Sequence, residues 1–132
     1  MTKSIKRYSL RKTLCTLLVL SAIASLLSVS AFAVDPIPSG LYQLSANSGT
    51  RTFTKEWVSA TSDRYGSYLT YGFNTYLIDE DYAWAEQSQV LHWAEIKNGN
   101  GWHYGPFKAA GSVSKKEVTH SGTGIYYASC WN

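Results

Sequence analysis

The stretch that decides the fold is LHWAEIKNGNGWHY, residues 91–104. Its first half, residues 91–96, is a strand candidate that runs into a cluster of turn residues. Asn98-Gly99 follows, and we expect this pair to supply the positive φ angles of a tight hairpin turn. Trp102 then begins an aromatic segment that is typical of a returning strand. These residues therefore predict a β-hairpin.

Further strand patterns lie on both sides of this hairpin. The clearest is residues 65–73, where Tyr65, Leu69, Tyr71 and Phe73 share one face. Shorter candidates are residues 50–59, 112–119 and 125–131.

Residues 78–90 fit two patterns. Acidic residues followed by good helix formers resemble the start of a helix, yet Tyr82, Trp84 and Glu86 also alternate with smaller side chains. We favour a loop leading into a strand, because tertiary context overrides helix propensity in short elements. The run Asp79-Glu80-Asp81 lacks the glycine and distal glutamate of a calcium loop, so it is interpreted as a solvated turn.

The first 33 residues have the features of a secretory signal. Five basic residues precede an apolar run at residues 14–27, and Ala31-Phe32-Ala33 forms a small-x-small cleavage site. We expect cleavage after Ala33. The alternative, an uncleaved anchor, is disfavoured because the apolar run is shorter than the roughly 20 residues that span a bilayer.

Removal of this leader changes the charge of the chain. The precursor carries a net charge of +3, whereas residues 34–132 hold seven basic and nine acidic residues, a net charge of −2. A slightly acidic secreted chain has no general electrostatic attraction for nucleic acid or for an anionic membrane. We therefore expect neither as a partner. Any contact with a membrane is expected to be indirect, through a molecule that the protein binds.

Residues 34–132 are expected to form a single all-β domain. They contain 17 of the chain's aromatic residues and all ten glycines. Aromatic side chains favour half-buried pleated surfaces, and 99 residues suffice for one hydrophobic core. We divide the domain into an extension of unknown role, residues 34–64, and a core, residues 65–132.

The domain offers little for catalysis or metal binding. His92, His103 and His120 are spaced too irregularly for a metal motif, and no cysteine pair accompanies them. We expect no enzyme activity, no metal and no other cofactor. Cys130 is the domain's one cysteine, so it is either a small buried side chain or the site of an intermolecular disulfide in a homodimer.

The order of motifs in the second half resembles the lactococcin 972 family of secreted bacteriocins. The resemblance covers about residues 71–132. It is carried by Tyr71-Gly72-Phe73-x-x-Tyr76, His92-x-Ala94-x-Ile96, Asn98-Gly99-Asn100, Ala110-Gly111, Ile125-Tyr126-Tyr127 and Trp131.

This resemblance implies a small antiparallel β-sandwich that is secreted and acts on the cell envelope of related bacteria. The implied action is binding of the cell-wall precursor lipid II, which blocks septum formation. Tyr and Trp concentrate in binding surfaces because they combine large contact area with a polar edge. The candidate binding residues are His92, Trp93, Trp102, Tyr104, Tyr126 and Tyr127.

A second hypothesis belongs to another functional class. The chain could instead be a secreted structural or interaction module, such as a coat, adhesion or inhibitor protein. Most of its aromatic rings would then serve the core and the cross-strand pairs.

Overall fold

Strands and the turns between them provide all the regular structure in residues 34–38 and 40–132, the residues that the computed structural model describes. The signal peptide, its cleavage after Ala33 and the alternative of an uncleaved anchor all fall outside these residues. Within the described part, no helix is long and apolar enough to cross a membrane.

Eight β-strands follow one another along the described residues, and they confirm the all-β prediction. Their bounds are β1 Tyr42–Asn47, β2 Trp57–Ser62, β3 Ser67–Asn74, β4 Glu80–Gln87, β5 His92–Asn98, β6 Gly101–Tyr104, β7 Val113–Thr119 and β8 Tyr126–Trp131.

The strands form two four-stranded sheets that pack face to face. Sheet A has the order β1-β8-β5-β6, and sheet B has the order β2-β3-β4-β7. Every pairing within them is antiparallel. The structure is thus the small antiparallel β-sandwich that the family resemblance implied.

Residues 34–64 contribute one strand to each sheet. β1 pairs with β8 over its full length, from Tyr42 opposite Trp131 to Asn47 opposite Tyr126, while β2 pairs with β3. The sequence patterns did not predict β1. They also placed the next strand too early, because residues 50–56 form a loop and β2 begins only at Trp57.

The segment whose pattern was ambiguous is a strand. β4 turns Ala83 and Ala85 into the core and leaves Tyr82 and Trp84 on the outer side. The small alanines lie beside larger side chains of β3, since Ala83 pairs with Tyr71. Alternating small and large residues let two stacked faces interdigitate without voids, and this packing requires a strand here.

The hairpin of residues 91–104 forms as the sequence predicted, but with a different turn. Asn98 pairs with Gly101, and the positive φ angle of 102° belongs to Gly101 rather than to Asn98 or Gly99. A left-handed glycine that follows the turn is typical of hairpins with a bulge. Asn98 supports this turn, because its Oδ1 accepts a hydrogen bond of 2.9 Å from the backbone N–H of Asn100.

The core lies between the inner faces of the sheets. Leu69 and Phe73 of β3 are 0% and 1% exposed, as their predicted common face requires, and Tyr71 lies between them. Burial of one such side chain contributes about 1.5–3 kcal/mol. From sheet A, Ile96 and Tyr127 complete the contact.

Replacement of Leu69 by alanine tests this core. We expect Leu69→Ala to lower the free energy of unfolding by about 3 kcal/mol, because it leaves a cavity among fully buried neighbours. Val58→Ala is the matched control, since Val58 is 64% exposed on the outer side of sheet B and should change stability by about 0.5 kcal/mol or less. Urea unfolding measures both, and equal losses would contradict this placement of the core.

Candidate functional site

The outer side of sheet A carries a cluster of aromatic side chains. The strand register explains their grouping, because Lys97 of β5 lies opposite both Trp102 of β6 and Tyr126 of β8. Side chains at paired positions project from the same face of a sheet. We call this cluster the outer aromatic face, formed by Trp93, Trp102, Tyr104, Phe107 and Tyr126.

Several rings of the outer aromatic face are accessible. Trp102 is 47% exposed, Tyr104 57% and Phe107 65%. The rings of Trp102 and Tyr104 are nearly parallel, at 10°, with their centroids 6.5 Å apart. The ring of Trp93 packs against the ring of Phe107 with centroids 4.9 Å apart. The indole N–H of Trp93 donates a 2.7 Å hydrogen bond to the Glu95 carboxylate. These contacts hold the rings in place before any ligand binds.

Two of the candidate binding residues lie on the opposite side of the sheet. His92 is fully buried, and its Nε2 and Nδ1 lie 2.8 Å and 3.2 Å from the carbonyl oxygens of Ser112 and Val90. Tyr127 is also fully buried, and its ring packs against Tyr71. Burial raises the pKa of Tyr127 well above its ordinary value, so its hydroxyl stays protonated. Both side chains hold the two sheets together and do not reach a surface ligand.

A groove adjoins the outer aromatic face at the tip of the β5–β6 hairpin. Its volume is about 460 Å³, within the range of small-ligand sites. The sequence analysis had named Trp102 and Tyr126 as candidate binding residues. The other lining residues come from the end of β5, from the hairpin turn and from the loop before β8. We call this feature the hairpin groove, and it is lined by Lys97, Asn98, Gly99, Trp102, Gly122, Thr123, Gly124 and Tyr126.

A buried polar network lies behind the hairpin groove. Asp81 of sheet B is fully buried, and its carboxylate accepts hydrogen bonds from Asn98 Nδ2 at 3.0 Å and from His120 Nδ1 at 2.8 Å. The ring of His120 stacks on Phe53 with centroids 4.1 Å apart. The solvated turn expected for Asp79-Glu80-Asp81 is therefore wrong for Asp81, which connects the sheets and fixes the hairpin tip through Asn98.

Truncation of the Asp81 side chain should lower the stability of the fold. We expect Asp81→Ala to lower the free energy of unfolding by about 3 kcal/mol, because Asn98 and His120 lose their buried acceptor. The neighbouring Asp79→Ala is the control, since the side chain of Asp79 is exposed and its removal should have little effect. Chemical denaturation of the two variants checks this, and a neutral Asp81→Ala would contradict the role of the network.

The side chain of Cys130 projects from the outer side of sheet A, but neighbouring side chains cover it. The residue is 3% exposed and pairs with Trp93 of β5. Burial raises the pKa of the Cys130 thiol to about 12, and the nearby Glu95 carboxylate adds to this increase. Because only the thiolate reacts readily, the structure favours the buried cysteine over the intermolecular disulfide that the sequence left open.

Thiol labelling tests the state of Cys130. In the native protein we expect Cys130 to react with a thiol reagent at least about 100-fold more slowly than in denaturant, since the folded thiol is covered and protonated. Peptide mapping identifies the labelled cysteine. Fast native labelling, or a dimer on a non-reducing gel that disappears with reductant, would show that the thiol is accessible.

Metal-ligating side chains are dispersed in the described part of the chain. In residues 34–38 and 40–132, no group of three or more His, Cys, Asp or Glu side chains could hold a metal ion. Exposed aromatic rings beside the hairpin groove offer contact area and hydrogen-bonding edges to a ligand.

Comparison of the chain with protein-family models, with curated proteins and with solved structures finds no match. The resemblance to the lactococcin 972 bacteriocins therefore depends on the order of its motifs alone.

Proposed function

We propose that this chain is a secreted, non-enzymatic antibacterial protein that recognises a component of the bacterial cell envelope. The observation that carries the proposal is the outer aromatic face. Four of the six candidate binding residues project from one side of sheet A, namely Trp93, Trp102, Tyr104 and Tyr126. Two of them, Trp102 and Tyr104, are about half exposed at the edge strand β6.

The type of surface supports recognition of a specific target. Fixed Trp and Tyr rings lose little conformational entropy on binding, and their polar edges add hydrogen bonds. General attraction to the envelope is weak, because residues 34–132 carry a net charge of −2. Binding therefore depends on local contacts, and membrane contact occurs through the bound target.

The family resemblance supplies the proposed target, lipid II. In this proposal the protein is exported, its leader is removed after Ala33, and the outer aromatic face binds lipid II on neighbouring related bacteria. Septum formation then stops because the precursor is sequestered.

A binding and growth experiment tests the proposal. The released protein should bind vesicles that contain lipid II and should arrest related Gram-positive cells at septation. We expect Trp102→Ala to weaken vesicle binding about 30-fold, the effect of losing about 2 kcal/mol at an interface hot spot. Trp84→Ala, on the outer side of sheet B, is the control and should bind like the original protein. A chain that neither binds lipid II nor inhibits growth would refute the proposal.

A second candidate function has one observation in its favour. The outer side of sheet B also exposes apolar side chains, with Val58 at 64% and Tyr68 at 44% exposure. Two such faces suit a secreted structural or interaction module that contacts partners on both sides. A defined protein partner that binds through sheet B, in a protein without any effect on growth, would favour this function.

A further inference from the structure

Two segments that line the hairpin groove are joined by a backbone hydrogen bond. The N–H of Gly99 donates a 2.7 Å hydrogen bond to the carbonyl oxygen of Ser121, which joins the hairpin tip to the loop before β8. A Cβ atom on Gly99 would collide with Ser121, so glycine permits this close approach. Ser48 Oγ donates a 3.0 Å hydrogen bond to the carbonyl oxygen of Thr123, another lining residue. The hairpin tip and the loop before β8 are thus held in place without a ligand.

Two aromatic side chains, Trp102 and Tyr126, also line the groove. Trp102 is 47% exposed, and the ring of Tyr126 meets it at 74° with centroids 5.7 Å apart. Gly124 adds no side chain, and a Cβ atom there would have open space around it. An aromatic wall beside exposed backbone suits a ligand with one apolar face and a rim of hydrogen-bonding groups. A pyranose ring has this combination of C–H faces and hydroxyl edges.

The one charged residue at the groove favours an acidic ligand of this kind. Lys97 is the single charged residue among those that line the groove, and its Nζ lies 5.1 Å from the centroid of the Trp102 ring. The ion pair of Arg64 with Asp35 and the close contact of His120 with Asp81, both among the described residues, do not involve it. Its ammonium group is therefore available to a negative charge on a ligand that stacks on Trp102.

We propose that the hairpin groove is a binding subsite for an acidic sugar, a pyranose that carries a carboxylate. The ring lies against Trp102, and the carboxylate faces Lys97 Nζ. This inference goes beyond the proposed function, because the lactyl carboxyl group of lipid II is joined to the stem peptide as an amide and offers Lys97 no free carboxylate.

Two sugars that differ in one acidic group provide the test. N-acetylmuramic acid and N-acetylglucosamine share a ring, and only the first carries a lactyl carboxylate. We expect the released protein to bind the acid about tenfold more tightly, which corresponds to one charge-assisted hydrogen bond. Lys97→Met should abolish that preference without weakening the neutral sugar, and Trp102→Ala should weaken both. Titration followed by NMR, with shifts expected at Lys97 and Thr123, measures these affinities.

Sheet B offers a matched control. There, Lys115 Nζ lies 4.4 Å from the centroid of the Trp84 ring, a similar pair that does not line the hairpin groove. Lys115→Met and Trp84→Ala should leave both affinities unchanged.

Three results would overturn the inference: equal affinity for the two sugars, full acid preference in Lys97→Met, or tighter binding of glucose 1-phosphate than of the carboxylate. Different results would contradict the proposed function. If the original protein binds lipid II and arrests cells but shows no preference for the acidic sugar that depends on Lys97, only the groove is wrong. If N-acetylmuramic acid binds as expected but lipid II does not bind and cells grow normally, only the antibacterial proposal is wrong.

Discussion

The contact between Tyr71 and Tyr127 is the interaction on which the rest of the structure depends. Their ring centroids lie 5.0 Å apart across the space between the sheets, and Trp57 packs edge-on against both rings. The two tyrosines lie on β3 and β8, which are interior strands of sheet B and sheet A. An aromatic contact of this kind contributes about 0.5–1.5 kcal/mol beyond the area that it buries. Both tyrosines belong to the core cluster on the inner sides of the two sheets.

Which side of each sheet faces the core determines which side chains can contact a ligand. Because side chains alternate along a strand, burial of Tyr127 places its neighbour Tyr126 outside, and burial of His92 places Trp93 outside. The antiparallel register then collects the outward rings of three strands on one surface. The core and the outer aromatic face are consequences of a single arrangement. The inner rings provide stability, and the outer rings are free to contact a ligand.

Part of this division could be predicted from the sequence. The alternation in residues 65–73 correctly predicted the inner face of β3, with Leu69 and Phe73 buried. The same two-residue alternation would have placed His92 and Trp93 on opposite faces of β5. His92 shares its face with Ala94 and Ile96, which are apolar. It could not have identified Asp81. An acidic residue in an acidic run gives no sign that Asn98 and His120 approach it from 17 and 39 positions away.

The sequence by itself determined three properties: the period-two pattern of β3, the hairpin at residues 91–104 and the acidic balance of residues 34–132. These properties are local, because strand propensity, turn formation and charge depend on residues close together in the chain. Only the tertiary structure decided that Cys130 is covered, that Gly99 meets Ser121 and that Lys97 lies beside Trp102 and Tyr126. Such relations follow from sheet pairing and sheet stacking. Both bring distant segments together at distances that no local pattern encodes.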